Sequence, residues 1–438
     1  MGFGVLSLNP IFSLIINEKT MQGIGEVSFR TLTDTEYNIS FDESVCCMLF
    51  DLSGWDDEME NFPVINSIFG KGEPRRVSSI GTAVSYGLIN SNFMGGIPTY
   101  HITEYFKYIG GSRELYVCLR KCESGGKPDF SFIEDLQSSV GGRVFQLGVW
   151  TEQRIFNADG TLSGLIGNLN SNLMGMGIAG NMSNGTTPLS AMLFAHIDKD
   201  TDYRALPEIV SCKAPKVSVF LGQRRDDATT LCQSKTKTGT PVGLMGMCLA
   251  VLSMSGAEES IGCVGKYNLN KDDRLIEAEL GFGVDGTPMD DINEIQLNIL
   301  TLKGYVTLTR YDAIESGIFF SNDQTLSDGD YDTISKNRLM HKAKRIIKRA
   351  LLPHVNSGIL LDGDGKISQT EVTSISNDVY DMMDANMVTR LGQRQLSGRS
   401  VEIPRDDNQL LDDTLRVKVV MVPVSSNSEL VVEESVSR

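Results

Sequence analysis

The sequence predicts a mixed α/β chain organised around a largely parallel sheet. Short apolar runs of strand length recur through the first half, stretches of helical periodicity stand between them, and glycine, asparagine and proline mark the connections. Residues 43–52 read as a buried strand that runs into the acidic loop Gly54-Trp55-Asp56-Asp57-Glu58. Residues 99–108 repeat their apolar side chains at helical spacing, 115–120 are strand-like, 130–140 are helical and 144–150 are again a strand. The Gly- and Asn-rich stretch 160–187 reads as loops or short turns. A strand at 216–221 precedes an apolar helix at 243–255, whose methionines and glycines suit packing on nearly every side. The composition changes near residue 290, so the main internal boundary is placed there. Beyond it come the apolar stretch 292–302, the start of a strand at Gly304-Tyr305-Val306, a turn at 321–325 and a helix over 335–351. The organisation expected is an N-terminal arm at 1–35, an α/β domain at 36–289 and a C-terminal domain at 290–438, with terminal strands within 415–434.

Charge and composition exclude several function classes. A formal net charge of -16 and a pI near 4.8 oppose binding to nucleic acid or to anionic membranes, which require a dominant positive field. The eight cysteines include Cys46-Cys47 inside an apolar run and show no paired metal spacing, so they read as reduced core residues in a chain made in the cytoplasm. The first sixteen residues lack a basic flank and are interrupted by Asn9-Pro10, unlike a secretory signal, and no run approaches the length of a membrane span.

Chemistry-bearing motifs are few. Asp362-Gly363-Asp364-Gly365-Lys366-Ile367 with Glu371 places Asp362, Asp364 and Glu371 at the third, fifth and twelfth positions of an EF-hand loop, but Leu360 stands at the first, where an oxygen ligand is needed. The alternatives are a Ca²⁺-binding module and a tight Asp-Gly turn joining two strands. Four isolated histidines (His101, His196, His341 and His354) and no recognisable nucleophile or phosphate-loop frame leave an α/β enzyme without a legible site. No catalytic residue and no cofactor are assigned.

Two features point outward. The predicted helix at 336–349 carries Lys336, Arg338, Lys342, Lys344, Arg345, Lys348 and Arg349 with no acid among them, opposite an apolar stripe of Leu339, Met340, Ala343, Ile346, Ile347 and Ala350. Its cations read as an exposed face, either solvated or docked on an acidic partner. Near the C-terminus, Leu415, Val417, Val419 and Met421 share one face of a strand, and a second run holds Leu430 and Val432. Such strands either pair within their own sheet or lend themselves to a neighbouring subunit.

In their order along the chain, several stretches resemble the tail sheath proteins of contractile phages and related injection machines. Residues 105–111, Tyr-Phe-Lys-Tyr-Ile-Gly-Gly, with the strand at 115–120, look like that family's helix, glycine pair and following strand. Residues 241–267 are similar to the helix and loop before its C-terminal region, 298–305 and 320–326 to the strand and turn before the basic helix, and 415–423 with 429–432 to its closing strands. The resemblance implies a multi-domain sheath-like subunit, with a central α/β sheet domain and terminal strands that complete sheets in neighbours. It implies stacked hexameric rings around an inner tube, contraction without nucleotide, and partners that are further copies of itself, the tube, baseplate and terminator proteins. It implies no nucleic acid and no direct membrane insertion, and a place in a phage tail or injection particle assembled from the bacterial cytoplasm. On this reading Leu415, Val417, Val419, Met421, Leu430 and Val432 form inter-subunit strands, and Lys342, Lys344, Arg345, Lys348 and Arg349 are candidates for contact with tube or sheath.

Overall fold

A computed structural model describes residues 42–55, 57–176, 187–197, 202–270, 277–281, 287–311, 313–314, 316–388, 394–405 and 415–424. The first core is built on a seven-stranded sheet of β1 (Cys46–Asp51), β2 (Arg75–Val77), β3 (Leu115–Arg120), β4 (Gln146–Arg154), β5 (Ser190–His196), β6 (Val217–Phe220) and β7 (Tyr305–Val306), in spatial order β7-β6-β5-β4-β1-β3-β2. Six strands are parallel, and only the edge strand β2 runs antiparallel, against β3. The expected sheet is therefore present, and the strands read at 43–52, 115–120, 144–150 and 216–221 all lie in it.

β1 is buried at all six positions, which places Cys47 and Leu49 in contact with one layer and Cys46, Met48 and Phe50 with the other. On the second side lie α1 (Ile97–Ile109) and α4 (Met245–Met254), with α2 (Ile133–Ser139) and α3 (Leu165–Gly175) between them in sequence. α4 is the all-apolar helix expected, and it sits tightly between sheet and α1. A Cβ on Gly148 of β4 would fall 2.8 Å from Leu249 Cδ1, and one on Gly246 would fall 2.2 Å from the carbonyl oxygen of His101. Two glycines thus set the spacing of three layers.

α3 corrects the expectation of loops across 160–187. Its Leu165, Ile166, Leu169 and Leu173 recur at helical spacing and are buried, so packing of that stripe outweighs the weak helix propensity of the Gly and Asn residues between them. α5 (Glu294–Leu302) likewise occupies part of the stretch read as a strand at 298–305, with strand pairing confined to Tyr305 and Val306.

The second core begins with α6 (Ile334–Leu351), which packs with α7 (Gln369–Met383) and a two-stranded antiparallel ribbon of β8 (Leu396–Glu402) and β9 (Lys418–Pro423). Buried residues from Ile292 to Leu326 pack in the first core, since α5 leads directly into β7 of the main sheet. The two hydrophobic clusters meet within α6, where Ile334 belongs to the first and Leu339 to the second. The cysteines among the described residues are free thiols, and the burial of Cys46, Cys118 and their neighbours pushes those thiols up. No helix among the described residues is long and apolar enough to cross a membrane.

Candidate functional site

In an open parallel sheet, ligands bind beyond the carboxyl ends of strands where the strand order reverses. Here that point lies beside β1, and it is closed by the chain itself. The buried Asp51 carboxylate accepts hydrogen bonds from Ser53 N (2.8 Å) and Oγ (2.6 Å), Cys122 N (2.8 Å), Thr151 Oγ1 (2.5 Å) and Gln153 Nε2 (2.7 Å). Five donors occupy the oxygens that catalysis would need, so the group ties three strand ends together. A cleft of about 240 Å³ opens nearby between Arg154, Asn157, His196 and Pro207. His196 is buried with Nδ1 2.9 Å from Thr240 Oγ1, and no carboxylate, serine or cysteine joins it in the lining among the described residues.

The Asp362 loop forms the tight turn. Its ends meet through a bridge between Leu361 and Ile367, Gly365 takes the positive φ of 75°, and Ser368 caps α7 by accepting from Glu371 N. The turn leads into a helix rather than joining two long strands. Asp362 Oδ1 accepts from Asp364 N and Lys366 N, each at 3.0 Å, and Oδ2 pairs with Arg405 at 2.7 Å. Those backbone bonds, with Arg405 beside them, hold the Asp362 carboxyl below the usual carboxylate range. Among the described residues no group of three or more His, Cys, Asp or Glu side chains is placed to hold a metal ion, and Asp362, Asp364 and Glu371 do not form one.

α6 departs most from its sequence reading. The helix forms where expected, with Thr333 accepting from Lys336 N at its cap, but much of its cationic face points inward. Arg338, Lys342 and Arg345 are 0%, 1% and 1% exposed, Lys344 and Lys348 are half-buried, and Arg349 is exposed. The helix crosses the amino ends of β1, β4 and β6, and its buried cations bond to acceptors there and at the end of α4. Arg338 donates to the carbonyls of Leu252 (2.7 Å), Ser255 (3.0 Å) and Gly256 (2.9 Å) and to Ser255 Oγ (2.6 Å), so a buried guanidinium caps the negative end of α4. Arg345 donates to Gly142 O and Val144 O, both at 2.6 Å, and lies 3.7 Å over the Phe145 ring at the start of β4. Lys342 pairs with Glu43 at 2.9 Å just before β1. Burial pushes the Glu43 carboxyl up, yet the ammonium against it leaves that carboxyl below its ordinary range. The expectation of an exposed cationic face is thus corrected for Arg338, Lys342 and Arg345, which fasten the second core to the edge of the first.

The strand at 415–423 is paired at home on one side. β9 runs against β8 with Val419 opposite Val401 and Met421 opposite Arg399, and Leu415, Val417, Val419 and Met421 turn together toward the second core, the face read from sequence. On its other edge β9 has no strand among the described residues, whereas Val401 N of β8 donates to the Tyr380 hydroxyl at 2.9 Å. The outer face is apolar too, with Val420, Val422 and Val424 at 47%, 53% and 37% exposed. Sequence reading missed this second face, although alternate valines past Lys418 signalled it. Leu430 and Val432, like the arm at 1–35, lie outside the described residues. A further apolar stripe, Ile295, Ile299 and Leu302, lies exposed along α5.

Comparison with known proteins places this geometry. The sequence model described as the DUF2586 C-terminal domain matches residues 330–437, which begin just before α6. No curated protein matches the sequence. Among solved structures, a chain of the cryo-EM structure of the anti-feeding prophage (AFP) baseplate, 6-fold symmetrised, superposes with a TM-score of 0.52 at 14% identity, over 98% of this chain and 100% of that one. A chain of the PVC sheath complex of an extracellular contractile injection system, in its contracted state, gives 0.53 at 12% identity, over 95% of this chain and 98% of that one. The likeness to contractile-tail proteins drawn from sequence therefore holds at the level of fold: nearly the whole chain has the architecture of subunits found in contractile injection assemblies.

Proposed function

We propose that this protein is a structural subunit of a contractile tail sheath, which polymerises as stacked hexameric rings around an inner tube and drives that tube through a target envelope by contracting. The observation that carries the reading is the β8–β9 ribbon. Among the described residues the two-stranded sheet has no strand on the outer edge of β9 and carries valines on its outer face, and a strand from a neighbour would pair with that edge. On this proposal the arm at 1–35 and the segment containing Leu430 and Val432, which lie outside the described residues, would serve as donors and β9 as acceptor. A heterologous contact of this kind propagates into a helical tube.

Contact with tube or adjacent sheath is assigned to Lys344, Lys348 and Arg349, because Lys342 and Arg345 are committed inside the chain. The subunit would act without catalysis, with its tube, baseplate and terminator proteins as partners, in a particle assembled from the bacterial cytoplasm. Electron microscopy of the purified chain, alone and with its tube protein, tests the reading. Cylinders are expected from the full chain and none from a chain truncated after Asp412. Full-length protein that joins a baseplate but never polymerises would replace the sheath with a baseplate role.

A further inference from the structure

We propose that the contact between Lys216 and His341 is an acid-sensitive latch, which holds α6 against the start of β6 and loosens it when the pair takes up a second proton. Lys216 precedes β6 and is buried. Its Nζ lies 2.7 Å from Asn337 Oδ1, 3.0 Å from His341 Nε2 and 4.3 Å from the centre of the Tyr331 ring. The arrangement works with one proton too few to charge both groups: the ammonium donates and a neutral imidazole accepts.

The surroundings reject the missing proton. On α6, Lys344 and Arg345 add positive charge beside His341, and neither Lys216 nor His341 bonds a carboxylate among the described residues. In the preceding segment Asp323 is bonded to Ser335 and Asp332 to Lys336, while Tyr331 presents its ring. From α3, Asn170 Oδ1 accepts from Lys216 N. Burial first, and then the charges of Lys216, Arg345 and Lys344, push the imidazole well below its ordinary value. Burial, with Lys344 nearby, brings the Lys216 ammonium down to about 7.

The direction follows from linkage. Below about pH 6.5 the opened form binds a proton at His341 that the closed form excludes, so opening becomes favoured by up to about tenfold per pH unit. Lys216 is protonated in both forms there, since its own contribution falls between about 7 and its ordinary 10.5. Glu43 stays ionised in its pair with Lys342 through this range, because the ammonium against it holds its carboxyl below the ordinary carboxylate range despite its burial. The slope therefore belongs to the imidazole.

Hydrogen exchange of the amides of 334–351 in the full chain, corrected for intrinsic rates, reads the latch. The opening equilibrium is expected to rise about tenfold between pH 6.5 and 5.5, and to lose that dependence in His341→Gln. Lys216→Met leaves His341 buried, so the slope is expected to persist in it while the opening equilibrium changes at every pH, because the contacts to His341 and Asn337 are gone. A flat profile in the unmodified chain, an undiminished slope in His341→Gln, or an opening equilibrium that Lys216→Met leaves unchanged overturns the proposal. This inference stands apart from the sheath reading, since exchange in the isolated chain reports on it without assembly.

Discussion

Replacing Arg338 by Met removes a fully buried guanidinium while keeping most of its apolar stem. In the intact chain this side chain satisfies the carbonyls of Leu252, Ser255 and Gly256 at the end of α4, together with Ser255 Oγ and, at 3.4 Å, Glu43 O. Hydrogen bonds to a charged donor contribute roughly 1.5–3 kcal/mol each, but they share one group and do not add. Breaking a buried charged set by deleting one member costs about 3–5 kcal/mol, because the stranded acceptors stay desolvated. A loss of about 4 kcal/mol is expected, roughly a thousandfold in the folding equilibrium and a large share of ordinary domain stability. Urea denaturation followed by circular dichroism measures it, with Arg349→Met on the exposed end of the same helix as comparison, where a change within about 0.5 kcal/mol is expected. Equal midpoints for the two variants would refute the assignment of Arg338 as the tie between α4 and α6.

Gly246→Ala forces a methyl to within 2.2 Å of a backbone oxygen, so α1 and α4 must separate, and a destabilisation of about 2–3 kcal/mol is expected in the same assay. Asp51→Ala leaves five donors facing an emptied site and is expected to cost about 3–5 kcal/mol; a stable Asp51→Ala chain would instead mean that the strand ends are held independently. Charge reversal of Lys344, Lys348 and Arg349 to Glu is expected to impair co-assembly with tube while leaving the thermal midpoint of the monomer within a few degrees, and intact co-assembly would retire the contact.

The parallel strands were legible because strands buried on both faces are continuous apolar runs, as in residues 46–50, and α4 was legible for the same reason. α3 was hidden by Asn and Gly residues whose local preference disagrees with the four apolar positions that decide its structure. The strand start at Gly304-Tyr305-Val306 was legible, but its place in the main sheet was not, since a pair of residues this short carries no mark of its pairing with β6. Amphipathic patterning separates apolar from polar faces, but it does not distinguish water from a row of carbonyls as the partner of a cation. That is why Arg338, Lys342 and Arg345 read as surface. Asp51 left no local trace at all, since three of its partners come from positions 122, 151 and 153.

The way α6 is fastened decides how mechanical load travels. Its attachments sit at Glu43, at Gly142 and Val144, and at Lys216, each just ahead of a strand. A pull on the β8–β9 ribbon would therefore reach the first core through the amino ends of three strands and, through Arg338, the end of α4, so the load would be shared among several attachments instead of falling on one.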